Sequence, residues 1–165
     1  MKTFMKKTLR LQMTALFLTV LTAAFAASAK PDKELPFRGT IQGVEIATVE
    51  FPLLFVDATG SGEASHLGRF TLTYELEVDL LTLPFETSGS AVFTAANGDS
   101  LFTDIVGLGT PDGDFVSVVE AHTITGGTGR FEGASGSFIR TYLLNLVTGS
   151  TSGSFDGTII IDKGK

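Results

Sequence analysis

Apolar and polar side chains alternate along most of the chain, and no stretch beyond the N-terminal leader keeps a helical period. The clearest case runs from His66 to Asp79. One face reads His66, Gly68, Phe70, Leu72, Tyr74, Leu76, Val78 and the other Leu67, Arg69, Thr71, Thr73, Glu75, Glu77, Asp79. Successive side chains on a strand point to opposite faces, so this strand has one dry side and one wet side. The same pattern predicts eight strands over Phe37–Glu50, Leu53–Ala64, His66–Leu80, Phe85–Ala96, Ser100–Leu108, Phe115–Thr125, Ser135–Val147 and Ser152–Ile161. Asn97-Gly98 suits a tight hairpin and Pro111-Asp112-Gly113 another turn. No connection is long enough for a crossover helix, so the sheet is antiparallel and follows chain order. Eight such strands in one small domain must hide their edges, which predicts an all-β fold, an eight-stranded antiparallel up-and-down β-barrel.

The leader changes the domain count. A basic start through Arg10, an apolar run from Leu11 and the small-residue triplet Ala27-Ser28-Ala29 have the order of a cleaved export signal. Residues 1–29 are therefore expected to be a signal peptide, 30–36 a short polar linker and 37–165 a single barrel domain. The expected destination is the periplasm or the exterior, with no membrane span after cleavage. An outer-membrane barrel fits poorly: there are two Tyr and no Trp for aromatic girdles, and Glu75, Glu77 and Asp79 would face lipid.

Charge and composition narrow the chemistry. The chain has 12 basic and 18 acidic residues, and the leader holds four of the basic ones (Lys2, Lys6, Lys7, Arg10), so 8 against 18 leaves a net charge of −10 after cleavage. Nucleic acid and anionic lipid are repelled by such a surface. The absence of Cys excludes disulfides and thiolate chemistry. Two His and scattered carboxylates show no metal-ligand spacing, and no serine sits in a nucleophile elbow. No metal and no cofactor is expected.

Glycines recur in a pattern. Phe-x-Gly appears at Phe37-Arg38-Gly39, Phe131-Glu132-Gly133 and Phe155-Asp156-Gly157, the first and last extending to FRGTI and FDGTI. Phe and Gly two apart share a face, a spacing that suits tight curvature with a ring packed over a bare backbone. The densest run is TITGGTGRFEGASGSF, with Gly126, Gly127, Gly129 and Gly133 around Arg130 and Phe131. It lacks the Gly-Lys-Ser/Thr of a P-loop, and the dinucleotide fingerprint fails at Glu132. It reads as a structural turn and bulge.

This run, ITGGTGRFEGASG, resembles the signature of the allene oxide cyclase and dirigent-protein superfamily, with weaker support from GEASHLGRFT and FTAANGDSLF. The resemblance implies an eight-stranded barrel, commonly trimeric, with an apolar interior that holds a fatty-acid epoxide or phenoxy radicals and works by shape and positioning. It assigns no catalytic residue to this chain.

Ligand-contact candidates come from chemistry on apolar faces. His66, Phe70 and Tyr74 share one strand face, with His66 expected at a barrel mouth pointing inward. Glu120 and His122 share a face with Val116, Val118 and Ile124, and the pattern does not choose whether that face is internal. Arg140 lies between Phe138 and Tyr142, and Asp104, between Phe102 and Val106, is its expected partner in a structural bridge, since neither charge is tolerable alone when buried; the functional alternative at Arg140 is a site for a ligand carboxylate. Phe70, Leu72, Tyr74, Phe93, Phe102 and Phe155 are expected to crowd the interior. Ser135–Val147 is apolar on both faces, so a second subunit is expected to cover the outer one, giving a homo-oligomer, with a trimer suspected. The leading expectation is a non-enzymatic binding or assembly module able to hold a small hydrophobic molecule. The alternative is an isomerase or cyclase positioning an unsaturated fatty-acid-like or phenolic substrate.

Overall fold

The computed structural model describes residues 33–161. The expected signal peptide, its cleavage site and the first residues of the linker lie outside the described residues. Eight strands follow in chain order: β1 (Glu34–Glu50), β2 (Leu53–Ala64), β3 (Gly68–Asp79), β4 (Phe85–Ala95), β5 (Ser100–Asp112), β6 (Phe115–Gly127), β7 (Ser135–Asn145) and β8 (Ser150–Ile160). Each pairs antiparallel with its neighbour, and β1 pairs with β8 to close the barrel. β1 starts inside the expected linker because Glu34, Leu35 and Pro36 pair with Ile160, Ile159 and Thr158.

The repeated pentapeptides form the closing seam. FRGTI and FDGTI run antiparallel, so that Phe37 lies opposite Gly157 and Gly39 opposite Phe155. The Phe155 ring leans over β1 at Gly39, where no side chain stands, and Gly157 lets β8 lie against the backbone of β7. A Cβ on Gly39 would come within 2.7 Å of the Phe155 ring, and one on Gly157 within 2.2 Å of the Ser137 carbonyl. Between them Arg38 and Asp156 meet on the outside, Nε to carboxylate 3.0 Å apart.

Inside, Phe37, Phe93, Phe138 and Phe155 form one aromatic cluster with ring centroids 4.8–6.3 Å apart. Phe70 joins it through Phe93 at 5.4 Å. Such pairs contribute about 0.5–1.5 kcal/mol each beyond the area they bury. The glycine-rich run caps the same end. A register shift beside Thr103 kinks the β5–β6 pair, and a short 3-10 turn at Gly129–Phe131 drives Phe131 into the core. The turn is tied down by Arg130, whose Nη2 donates to the Leu67 carbonyl at 3.0 Å. The run thus closes over one barrel end.

Two interior assignments change. His66 does not begin β3 or point inward; it sits exposed in the β2–β3 turn at φ +62°, and its neighbour Leu67 enters the core instead. Phe102 faces outward, because the inward set of β5 is Leu101, Thr103 and Ile105. Both faces of that strand carry apolar residues, so alternation alone cannot choose between them.

Candidate functional site

The interior is not wholly apolar. Glu120, His122 and Arg140, together with Thr103, are fully buried among the barrel's hydrophobic side chains. Strand register builds the cluster: Glu120 lies directly opposite Arg140 on the β6–β7 pair, and His122 opposite Phe138. The face of β6 that carries Glu120 and His122 is thus the internal one.

Glu120 is the hub. Its Oε2 accepts from Arg140 Nη1 at 3.1 Å and from His122 Nε2 at 3.2 Å, and its Oε1 accepts from the Tyr142 hydroxyl at 3.1 Å. Arg140 is held between two rings, its guanidinium carbon 4.0 Å from the Tyr142 centroid and 4.9 Å from that of Tyr74. Its Nη2 reaches the Tyr74 hydroxyl at 3.5 Å, which donates to Glu45 Oε1 at 2.5 Å. Glu45 and Tyr74 meet across β2 because the residue between them in both registers is the small Ala58. The network therefore runs from half-buried Glu45 to Thr103, deep in the barrel.

Burial alone would raise the Glu120 carboxyl, but the His122 bond, the Arg140 charge and the Tyr142 hydroxyl outweigh it and hold it below its ordinary value. Burial pushes His122 down against the pull of Glu120, so its imidazole is neutral at pH 7. Since ionised Glu120 only accepts, Nε2 carries the ring proton and Nδ1 accepts from Thr103 Oγ1 at 3.0 Å. The ring stacks on Phe138, centroids 4.5 Å apart and 14° from parallel. Arg140 is kept protonated: burial opposes its charge, but Glu120 and the tyrosine oxygens overcome that. Glu45 is shifted the other way, raised chiefly by burial against the bond from Tyr74. Burial likewise raises both tyrosine hydroxyls. The buried ion pair is neutral as a unit, yet Arg140 Nε and Thr87 Oγ1 have no hydrogen-bond partner among the described residues.

Of the residues singled out from the sequence, Tyr74, Glu120, His122, Arg140 and Tyr142 converge here. Phe70 lies in the aromatic cluster, four residues along β3 from Tyr74, and His66 is outside the barrel. Asp104 does not pair with Arg140; it is exposed on the outer face of β5, and Glu120 takes its place. Glu45 and Thr103 belong to the network and were not singled out, although each shares its strand's inward parity, Glu45 with Phe37 and Ile41, Thr103 with Leu101 and Ile105.

Rings crowd the inside, while the outer wall carries Asp57, Glu75, Glu77, Arg38 and Asp156 together with exposed Val106, Val119 and Ile139 on β5–β7. Among the described residues no helix is long and apolar enough to cross a membrane. No protein-family description matches the sequence, and no curated protein does. Among solved structures, a pterocarpan synthase dirigent protein is similar, with a TM-score of 0.56 and 14% identity, covering 86% of this chain and 100% of that one. The chain has the dirigent-type barrel fold.

Proposed function

We propose that this barrel is an exported, non-enzymatic binding and assembly module that holds a small hydrophobic molecule at the end that carries the Glu120–Arg140 pair. The reading is carried by the Glu120–Arg140 pair, enclosed by Tyr74 and Tyr142 and linked outward to Glu45, with one buried Arg140 N–H left over. A molecule with an apolar body and one hydroxyl or carbonyl acceptor complements that arrangement. The far half of the barrel is filled by phenylalanines, and the smaller cluster of Val116, Val118 and Leu144 beside Tyr142 is where the molecule's apolar body would pack. Holding is favoured over turnover because the ionisable groups satisfy one another. A general base must reach a substrate proton, and Glu120 already accepts from three donors while both His122 nitrogens are engaged.

A second reading, an isomerase or cyclase acting on an unsaturated or phenolic substrate, draws on Glu45. Its carboxyl is half-buried, raised towards the protonated form and bonded to a tyrosine, as an acid donor at a mouth would be. The similar dirigent protein is described as a pterocarpan synthase.

Assembly draws on the outer wall of β5–β7. Val106, Ala121 and Ile139 lie side by side across three strands, with Leu108 and Val119 in the next row. A groove of about 580 Å³ runs along them. A further copy of the chain would cover this stripe, giving the homo-oligomer, with a trimer the suspected state.

Native mass spectrometry of protein purified from its host tests the binding reading. Wild type should carry a small-molecule adduct, lost in Glu120→Gln/Arg140→Met, with the adduct's mass unchanged on incubation. A bare wild-type mass, together with no enhancement of 8-anilinonaphthalene-1-sulfonate fluorescence over the double variant, would overturn it. A changing adduct mass would favour the second reading.

A further inference from the structure

The closed barrel has an open strand edge where β1 overruns β8. β1 runs 17 residues, but its pairing with β8 ends at Val44–Ser150, and one further bond follows, from Glu45 N–H to the Gly149 carbonyl at 2.9 Å. β2 continues to pair with β1 as far as Glu50–Leu53. Ile46–Glu50 is thus bonded on one side only. In an antiparallel strand the outward-directed amides alternate, and Glu45 directs its N–H toward the β8 side. Ala47 and Val49 therefore direct theirs, with their carbonyls, past the end of β8 into the open.

Natural edges are usually blunted by lysine, proline or a bulge. This one, Ile46-Ala47-Thr48-Val49-Glu50, has none of these and one terminal charge. Ile46 is 72% exposed and Val49 64%. The β7–β8 turn stands beside it, tied on through Gly149, and presents Val147 at 75% exposure with Leu146. Edge and turn together make a notch with an apolar side.

We propose that this notch takes the same segment of a second copy of the chain, the two β1 strands pairing antiparallel about Thr48. That register is self-complementary. Ala47 faces the partner strand's Val49 twice over, so that both outward-directed residues of each copy exchange their N–H and carbonyl bonds. Thr48 faces its own counterpart, and Ile46 faces the partner strand's Glu50. No like charges stand opposite one another, which would weaken pairing. The two Glu50 side chains are four residues out of step, about 13 Å along the strands, beyond the screening length of roughly 8 Å in physiological salt. This contact uses neither the binding site nor the β5–β7 wall and stands apart from the oligomer proposed above.

Ala47→Pro is the informative variant. Proline deletes an N–H that points outward and leaves the β1–β2 ladder its bonds. Sedimentation of the purified protein should show a smaller mass for Ala47→Pro than for wild type, and in the Ile139→Lys background, where the wall contact is removed, Ala47→Pro should halve the mass. Ile139→Lys should change only the wall contact. In wild type, amide exchange at Ala47 and Val49 should slow as concentration rises, while Glu45 stays protected throughout. This second measurement holds even if the proline variant fails to fold. Equal masses for wild type and a folded Ala47→Pro, or exchange at Ala47 and Val49 that ignores concentration, would overturn the pairing.

Discussion

Glu120→Gln removes one charge from the centre of the barrel and almost no volume. In wild type the carboxylate neutralises Arg140 at 3.1 Å and takes bonds from His122 and Tyr142, with both partners of the ion pair out of water. The amide can still accept from Arg140 and His122, so packing and most hydrogen bonds survive. What is lost is the counter-charge, and a buried guanidinium then stands alone. Removing one member of a buried pair costs about 3–5 kcal/mol, a large part of the roughly 5–15 kcal/mol that holds a domain together. The expected fall in Tm is about 10–20 °C for a domain of this size. Arg140→Met on the same chain removes the stranded charge and leaves a thioether between the two tyrosine rings. Because neutral replacement of a buried pair is often tolerated, Glu120→Gln/Arg140→Met should recover at least about half of the loss. Urea denaturation followed by far-UV circular dichroism at pH 7 measures all four corners of the cycle, without need of the tryptophan this chain lacks. A loss below about 1 kcal/mol in Glu120→Gln, or a double variant no more stable than the single one, would refute the claim that the pair is ionised and dry.

His122 sets a pH dependence. Its folded value is lowered from the ordinary 6.5 by burial, so as pH falls below that value the unfolded chain binds a proton that the folded chain refuses. Stability is therefore full above about pH 6.5 and declines below it, and Tm measured from pH 7.5 to 5 should fall in wild type and stay flatter in His122→Gln. Glu120 acts with the same sign but at lower pH, starting near its ordinary 4.5; Glu45, raised, acts with the opposite sign. At the seam, Gly157→Ala forces a methyl to within 2.4 Å of the Phe138 backbone. Overpacking of this kind costs about 1–3 kcal/mol or more, read as a lower urea midpoint, whereas Gly113→Asn, in an open turn, should cost under about 1 kcal/mol. Arg38→Ala/Asp156→Ala should show a coupling of at most about 1 kcal/mol in the same assay, because both side chains are two-thirds exposed.

The strands were legible because burial on one face of a barrel imposes period two, and β2 coincides with its predicted span, Leu53–Ala64. Errors arose where that period meets something else. Alternation carried β3 back to His66, but a turn needing positive φ interrupts it there, and a histidine, although enriched at positive φ among non-glycine residues, marks a turn less plainly than glycine does. β5 runs on to Asp112 through Pro111, because its partner strand β6 continues to Phe115 opposite it. The site was half visible. Charged and aromatic groups sharing faces pointed to Tyr74, Glu120, His122, Arg140 and Tyr142. Which carboxylate meets Arg140 depends on the face of β5 and on the β6–β7 register, and neither is written in local alternation. Asp104 and Glu120 are equivalent until the sheet closes.

The register that sets Phe37 opposite Gly157 and Phe155 opposite Gly39 brings Glu34 beside Ile160, so the two extremities of the fold are immediate neighbours. A circular permutant follows directly. Joining Ile161 to Lys33 through a short linker and cutting the chain between Asn97 and Gly98 would keep every ladder while turning the most distant contact in the sequence into a hairpin. In the natural order the first strand must wait for the last before the cylinder can shut; in the permutant that wait disappears, and closure should be faster with the same final architecture.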